Sequence, residues 1–173
     1  GRMERACIWT ADAVLSPSRF MARKISGWLE GEVPEVTTIP YPWPGLAETV
    51  SIDPGEERRI VAPGRIELRK GVEPLLEACE NLWREGETFA LEMVGGDVHT
   101  PLKGGSLLEF LQKRYGHRVD SGQLVFTGPI PHMKCLEHMR KATAVVIPSL
   151  WENFPNTCIE AMSLGKVVVA SES

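Results

Sequence analysis

Ala144-Val145-Val146-Ile147 is followed by Pro148-Ser149-Leu150-Trp151-Glu152-Asn153-Phe154, then by Pro155-Asn156-Thr157-Cys158-Ile159-Glu160-Ala161-Met162 and, after Gly165-Lys166, by Val167-Val168-Val169-Ala170. The two valine-rich runs are short and continuously apolar, the pattern of strands buried on both faces. Pro155 has no backbone N–H and a fixed φ suited to the first helical position, so residues 155–164 read as a helix. Strand, helix and second buried strand form one repeat of an alternating α/β chain.

The alternation extends upstream. Further β-branched runs occur at 13–15, 36–39, 59–62, 89–94 and 124–126, and amphipathic stretches at 18–29, 73–85, 106–116 and 132–142. The expected fold class is therefore α/β, a Rossmann-like doubly wound parallel sheet. In the 73–85 helix, Leu75, Leu76, Cys79, Leu82 and Trp83 fall on one face, while Glu77, Glu80 and Arg84 fall elsewhere. Ile39-Pro40-Tyr41-Pro42-Trp43-Pro44-Gly45 carries three prolines in five residues and reads as an interdomain linker. Residues 1–45 then form the end of one domain with its linker, and 46–173 a second domain. Lys103-Gly104-Gly105-Ser106 reads as a surface loop entering a helix.

Composition narrows the function classes. With 19 Lys+Arg against 23 Asp+Glu, the chain offers no electrostatic footprint for nucleic acid, so no nucleic-acid partner is expected. Cys7, Cys79, Cys135 and Cys158 are dispersed without a C-x-x-C pair, which fits a reducing, cytoplasmic setting. The apolar runs fall far short of the roughly 20 residues a membrane-spanning helix needs. The N-terminus reads as the middle of a helix and lacks the features of a signal peptide.

Chemistry concentrates at two places. Glu152 lies in the loop before the 155–164 helix and Glu160 within it, straddling a helix start whose N–H groups at Asn156 and Thr157 suit a phosphate flanked by hydroxyls. The strand ending at Ala62-Pro63 passes into Gly64-Arg65-Ile66-Glu67-Leu68-Arg69-Lys70-Gly71, at the strand edge where open α/β sheets bind ligands. There Gly64 allows close backbone approach, and Arg65 and Lys70 can each bind a diphosphate. Arg69 reads as a bystander. Taken alone, the cations also fit a solvated loop and the glutamates a solvated loop and helix surface.

Val94-Gly95-Gly96-Asp97 and Phe126-Thr127-Gly128-Pro129-Ile130 would bring compact backbone to the same edge. Neither forms a dinucleotide fingerprint or a P-loop, which removes support for dehydrogenases and P-loop enzymes. His132, Cys135 and His138 recur at intervals of three, a spacing that lags the helix, and no metal site is expected from them. No Asp-x-Asp occurs, so a metal-free route is favoured.

These motifs, in this order, with Gly165-Lys166-Val167-Val168-Val169-Ala170, resemble group 1 glycosyltransferases, family 4, of GT-B fold, across about residues 59–173. Ala11-Asp12-Ala13-Val14-Leu15-Ser16-Pro17-Ser18 and Thr38-Ile39-Pro40 resemble the last strand-helix-strand of that family's acceptor domain and its crossing into the donor domain. The resemblance implies a GT-B donor domain with a remnant of the acceptor domain. It implies retaining transfer of a sugar from a nucleotide-diphosphate sugar to a glycan, lipid-linked or small-molecule acceptor, with no cofactor or metal. Arg65 and Lys70 would hold the diphosphate, Glu160 the ribose hydroxyls and Glu152 the sugar ring. Backbone amides around Phe154, Asn156 and Thr157 would hold sugar or phosphate oxygens, and Ile130 would edge the base.

Against that pattern most of the acceptor domain is missing, with its glycine-rich loop and usual catalytic histidine, as is the return segment after Ser173, so the fragment alone is expected to be inactive. The family leaves room for peripheral membrane contact at the cytoplasmic face through the missing domain. Tyr41 stands where the linker often has Asn, and the 99–122 stretch has no assigned role. Two other readings stay open: a non-catalytic α/β module binding nucleotide or a partner, and a sugar-nucleotide epimerase, which the glutamate spacing fits less well.

Overall fold

The computed structural model describes residues 2–29, 34–43, 45, 58–98 and 105–172. Pro44 and residues 46–57 of the linker region, and residues 99–104 with the first glycine of the Gly-rich loop, lie outside the described residues. The chain divides into two compact units, Gly1–Pro44 with Glu152–Pro155, and Gly45–Trp151 with Asn156–Ser173.

The first unit contains α1 (Arg2–Trp9), β1 (Val14–Ser16), α2 (Arg19–Trp28) and β2 (Val36–Thr38), with β1 and β2 paired in parallel. Ser18 starts α2: its backbone is extended, and its hydroxyl oxygen accepts the Met21 N–H at 3.1 Å. The same hydroxyl donates to the Asn153 carbonyl at 2.9 Å, and the Phe154 ring meets Tyr41 edge-on, with centroids 5.3 Å apart.

The second unit is a five-stranded, wholly parallel sheet with α-helical crossovers. Its strands are β3 (Arg59–Pro63), β4 (Ala90–Val94), β5 (Leu124–Phe126), β6 (Ala144–Ile147) and β7 (Val167–Ala170), in the order β5-β4-β3-β6-β7. The crossover helices are α3 (Val72–Arg84), α4 (Leu107–Arg114), the short α5 (Gly116–Asp120), α6 (His132–Lys141) and α7 (Asn156–Ser163). Side chains alternate between two cores, as strand geometry requires. Ala62, Leu91, Met93 and Leu124 pack under α3 and α4, while Val61, Val94, Val145 and Ile147 pack under α6 and α7. The expected doubly wound sheet is what forms.

Two details depart from the periodicity. The single helix expected over 106–116 divides, because Tyr115, buried at φ −109° and ψ 24°, interrupts it before α5. In α3, Leu82 is exposed and Glu80 buried, the reverse of the pattern reading. At 100° per residue both flank the apolar stripe by about 80°, so periodicity cannot choose between them. The choice comes from α5: Arg118 forks onto Glu80 at 3.0 and 3.2 Å, Arg84 adds a bond at 2.9 Å, and the Arg118 guanidinium lies 5.3 Å from the Trp83 ring centre. Those hydrogen bonds, Arg118 foremost, hold the Glu80 carboxyl below the usual carboxylate range.

A lowered carboxyl contributes stability that is present above its unfolded value and lost as pH falls through its folded one. Replacing Glu80 with Gln is expected to lower the melting temperature at neutral pH, and the difference from the parent should shrink on acidification below about pH 4. Melting curves across that range check the sign. A second expectation concerns Gly71, at φ +67°, where an added Cβ would sit 1.8 Å from the Pro148 carbonyl oxygen. Gly71→Ala should cost about 3 kcal/mol or more in denaturant unfolding, and Gly116→Ala, which meets nothing within 4 Å, close to none.

Candidate functional site

The sheet order places a switch point between β3 and β6: from β3 the chain steps outward through β4 to β5, then crosses back to β6 and β7. Crossovers leave such a pair in opposite directions, and the loops at their carboxyl ends face one another. Here those loops are 64–71 and the segment beginning at Pro148.

The first loop is built by backbone geometry. Gly64 donates to Val94 O and Ile66 to Gly96 O, both at 2.9 Å, so the chain after β3 stays laid along β4. A Cβ on Gly95 would fall 2.1 Å from Gly64 O, which makes that close approach possible only with glycine. Ile66, almost fully buried, pins the loop into the core. A 3₁₀ turn over Leu68–Lys70 then ends at Gly71 in the left-handed region, and the Lys70 stem lies over Gly64, its Cδ and Cε at contact distance (3.9 and 4.0 Å) from where a Gly64 Cβ would be. The Arg65 side chain is 60% exposed, with Nη2 3.3 Å from Glu67 Oε1.

Arg69, expected as a bystander, ties the two loops together. Its Nη2 donates to the same Glu67 oxygen at 2.7 Å, its Nη1 to the Trp151 carbonyl at 2.9 Å, and its carbonyl accepts the Leu150 N–H at 2.9 Å. The guanidinium also lies 5.6 Å from the Trp151 ring centre. Nothing in the spacing of Arg69 distinguishes it from a solvated arginine, because the residues it bridges to, Leu150 and Trp151, lie over 80 residues downstream.

Asn156 and Thr157 open α7, and Glu160 follows on its first turn and a half, its side chain 12% exposed. Glu160 Oε1 is 2.9 Å from Nε2 of His132, the first residue of α6. Cys135, one turn along α6, is pushed up to about 11 by burial and, secondarily, by the charge of Glu160. His138 turns instead to Glu92, its Nδ1 2.7 Å from Oε2, so the three-residue series splits between two carboxylates. Among the described residues no group of three His, Cys, Asp or Glu is arranged to hold a metal ion. Ile130 is half-buried against the α6 and α7 core.

Arg65, Lys70, Gly64, Ile130, Asn156, Thr157 and Glu160 thus belong to the second unit, and Glu152 and Phe154 to the first. Among the described residues no helix is long and apolar enough to cross a membrane.

The comparisons agree with this fold. The chain is similar in structure to sucrose-phosphate synthase from Thermosynechococcus elongatus, at 26% identity and a TM-score of 0.75 over 98% of this chain and 43% of that one. It is similar to Anabaena HepE in complex with UDP and glucose, at 16% identity and 0.77 over 99% and 48%, and to TarM, at 20% and 0.70 over 98% and 32%. The chain thus spans a third to a half of the length of these structures, and its parallel five-stranded α/β fold matches part of GT-B glycosyltransferases. Comparison with the curated proteins finds no match. Residues 49–173 match the family described as glycosyl transferases group 1, and the chain belongs to that family.

Proposed function

We propose that this chain carries the donor site of a retaining glycosyltransferase, which moves a sugar from a nucleoside diphosphate to a glycan, lipid-linked or small-molecule acceptor. The observation that supports this reading is the joining of loops 64–71 and 148–151 at the sheet's switch point through Arg69. In this reading Arg65 and Lys70 bind the diphosphate and stabilise the charge that grows on it as the glycosidic bond breaks. Each such charge-assisted contact contributes about 1.5–3 kcal/mol, and Gly64 lets backbone approach the phosphates.

Glu160 accepts hydrogen bonds from the ribose hydroxyls, Ile130 borders the base, and amides of Phe154, Asn156 and Thr157 hold sugar or phosphate oxygens. Glu152, which follows Trp151 in the chain, meets the transferred sugar. Residues 46–173 form the donor domain in this reading and residues 1–45 the end of the acceptor domain with its linker. Acceptor binding, and any contact with the cytoplasmic face of a membrane, belong to the acceptor domain. Two side-chain cations supply the positive charge, so the proposed donor site works without a divalent metal.

UDP is named in matched structures of HepE and TarM, which makes it the first probe. Calorimetric titration with UDP, GDP and ADP should find binding to at least one, and Arg65→Ala with Lys70→Ala should weaken it roughly 100-fold or more. Unchanged affinity in that double variant, or no binding to any of the three, overturns the reading. EDTA should leave the affinity as it was; binding lost to EDTA and restored by Mg²⁺ contradicts the metal-free donor site. Glu152→Gln should reduce affinity for UDP-glucose about three- to tenfold relative to UDP, whose own affinity stays constant.

A further inference from the structure

Glu160 is held before any ligand arrives. Its carboxylate can only accept hydrogen bonds, so the 2.9 Å contact requires a hydrogen on His132 Nε2 whichever charge the imidazole carries. On the same face of α6, Cys135 is near enough for the Glu160 charge to act on its thiol, but a thiol is a weak donor. His132 is therefore the strong hydrogen-bond donor to Glu160 among the described residues. The placement of His132 is itself stiff: Pro131, at φ −58° and ψ 146°, leads directly into α6, and Gly96 packs so closely on Pro129 that an added Cβ would come within 3.2 Å of its ring. The chain into the imidazole thus runs through two prolines with restricted φ.

A free glutamate side chain loses rotamer freedom, up to about 1.5–2 kcal/mol, when a ligand fixes it. A donor that fixes it in advance removes that loss from binding. We propose that His132 is a positioning residue for nucleotide recognition. By occupying Oε1 it orients the Glu160 carboxylate and leaves Oε2 for the ribose hydroxyls of a bound nucleoside diphosphate. This rests on the ribose role given to Glu160 above. His132 is 63% exposed and makes this contact across 28 residues, so its removal disturbs no core packing.

The test compares UDP with 2′,3′-dideoxyuridine diphosphate by calorimetry on the parent chain and on His132→Ala, His132→Gln, Glu160→Ala and the His132→Ala/Glu160→Ala pair. The parent should bind UDP more tightly than the dideoxy analogue. His132→Ala should weaken UDP roughly three- to tenfold, leave the analogue unchanged and so narrow the gap; Gln, which keeps an N–H donor, should restore part of it. In the Glu160→Ala background, His132→Ala should have no further effect. A surface ion pair without this role would alter both ligands alike or add to Glu160→Ala, and either result overturns the proposal. If the gap exists and closes with Glu160→Ala but not with His132→Ala, the role of His132 alone falls. If the parent binds UDP and its analogue equally, the ribose role of Glu160 falls and that of His132 with it.

Discussion

The carbonyl oxygen of Pro148 occupies the space where a side chain on residue 71 would begin, and that contact sets the geometry at the carboxyl edge of the second unit's sheet. The ladder between β3 and β6 is short, ending at Val61–Val145, whereas β3 continues beside β4 as far as the Ile66–Asp97 bridge. Past Val61 the chain therefore leans on β4, and the Gly71–Pro148 approach and the Arg69 hydrogen bonds to residues 150 and 151 connect it to the segment after β6. A parallel sheet must change crossover direction somewhere, and at that point its carboxyl-end loops have no helix between them. Here glycine and one arginine hold the loops in register.

Two buried carboxylates brace the scaffold around this edge. Glu92, on the α6 side of β4, receives Arg59 from β3 at 2.6 Å and His138 from α6 at 2.7 Å. Glu80 joins α3 to α5 through Arg118. An ionised group so shielded from water persists only where charge and hydrogen bonds compensate the lost hydration, and breaking such a pair costs more than the pair itself contributes. Glu160 repeats the arrangement at smaller scale: a shielded carboxylate whose Oε1 faces the His132 imidazole.

Much of this was legible beforehand. Buried strands announced themselves as continuous β-branched runs, helices as 3.6-residue stripes, and the loop carrying Arg65 and Lys70 and the start of the helix carrying Glu160 as glycine- and proline-marked breaks. What escaped the reading had one cause. Leu82 and Glu80 flank their helix stripe symmetrically, so only Arg118 on another helix decides which is buried. Arg69 and His132 look like ordinary surface residues until partners 82 and 28 residues away are known. The packing of residues 152–155 with the first unit, through Ser18 and Tyr41, likewise has no local signature.

By itself, then, the sequence determined the α/β class, the approximate limits of its elements and the chemical character of its loops, because periodicity, proline and glycine act over a few residues. Only the tertiary structure decided the order β5-β4-β3-β6-β7, and with it which loops meet. It also decided that Glu160 faces His132, that His138 faces Glu92 and that Arg69 bridges to Trp151. Strand order and ion pairing join residues distant in the chain. They depend on how whole faces pack, for which no short stretch of residues carries the information.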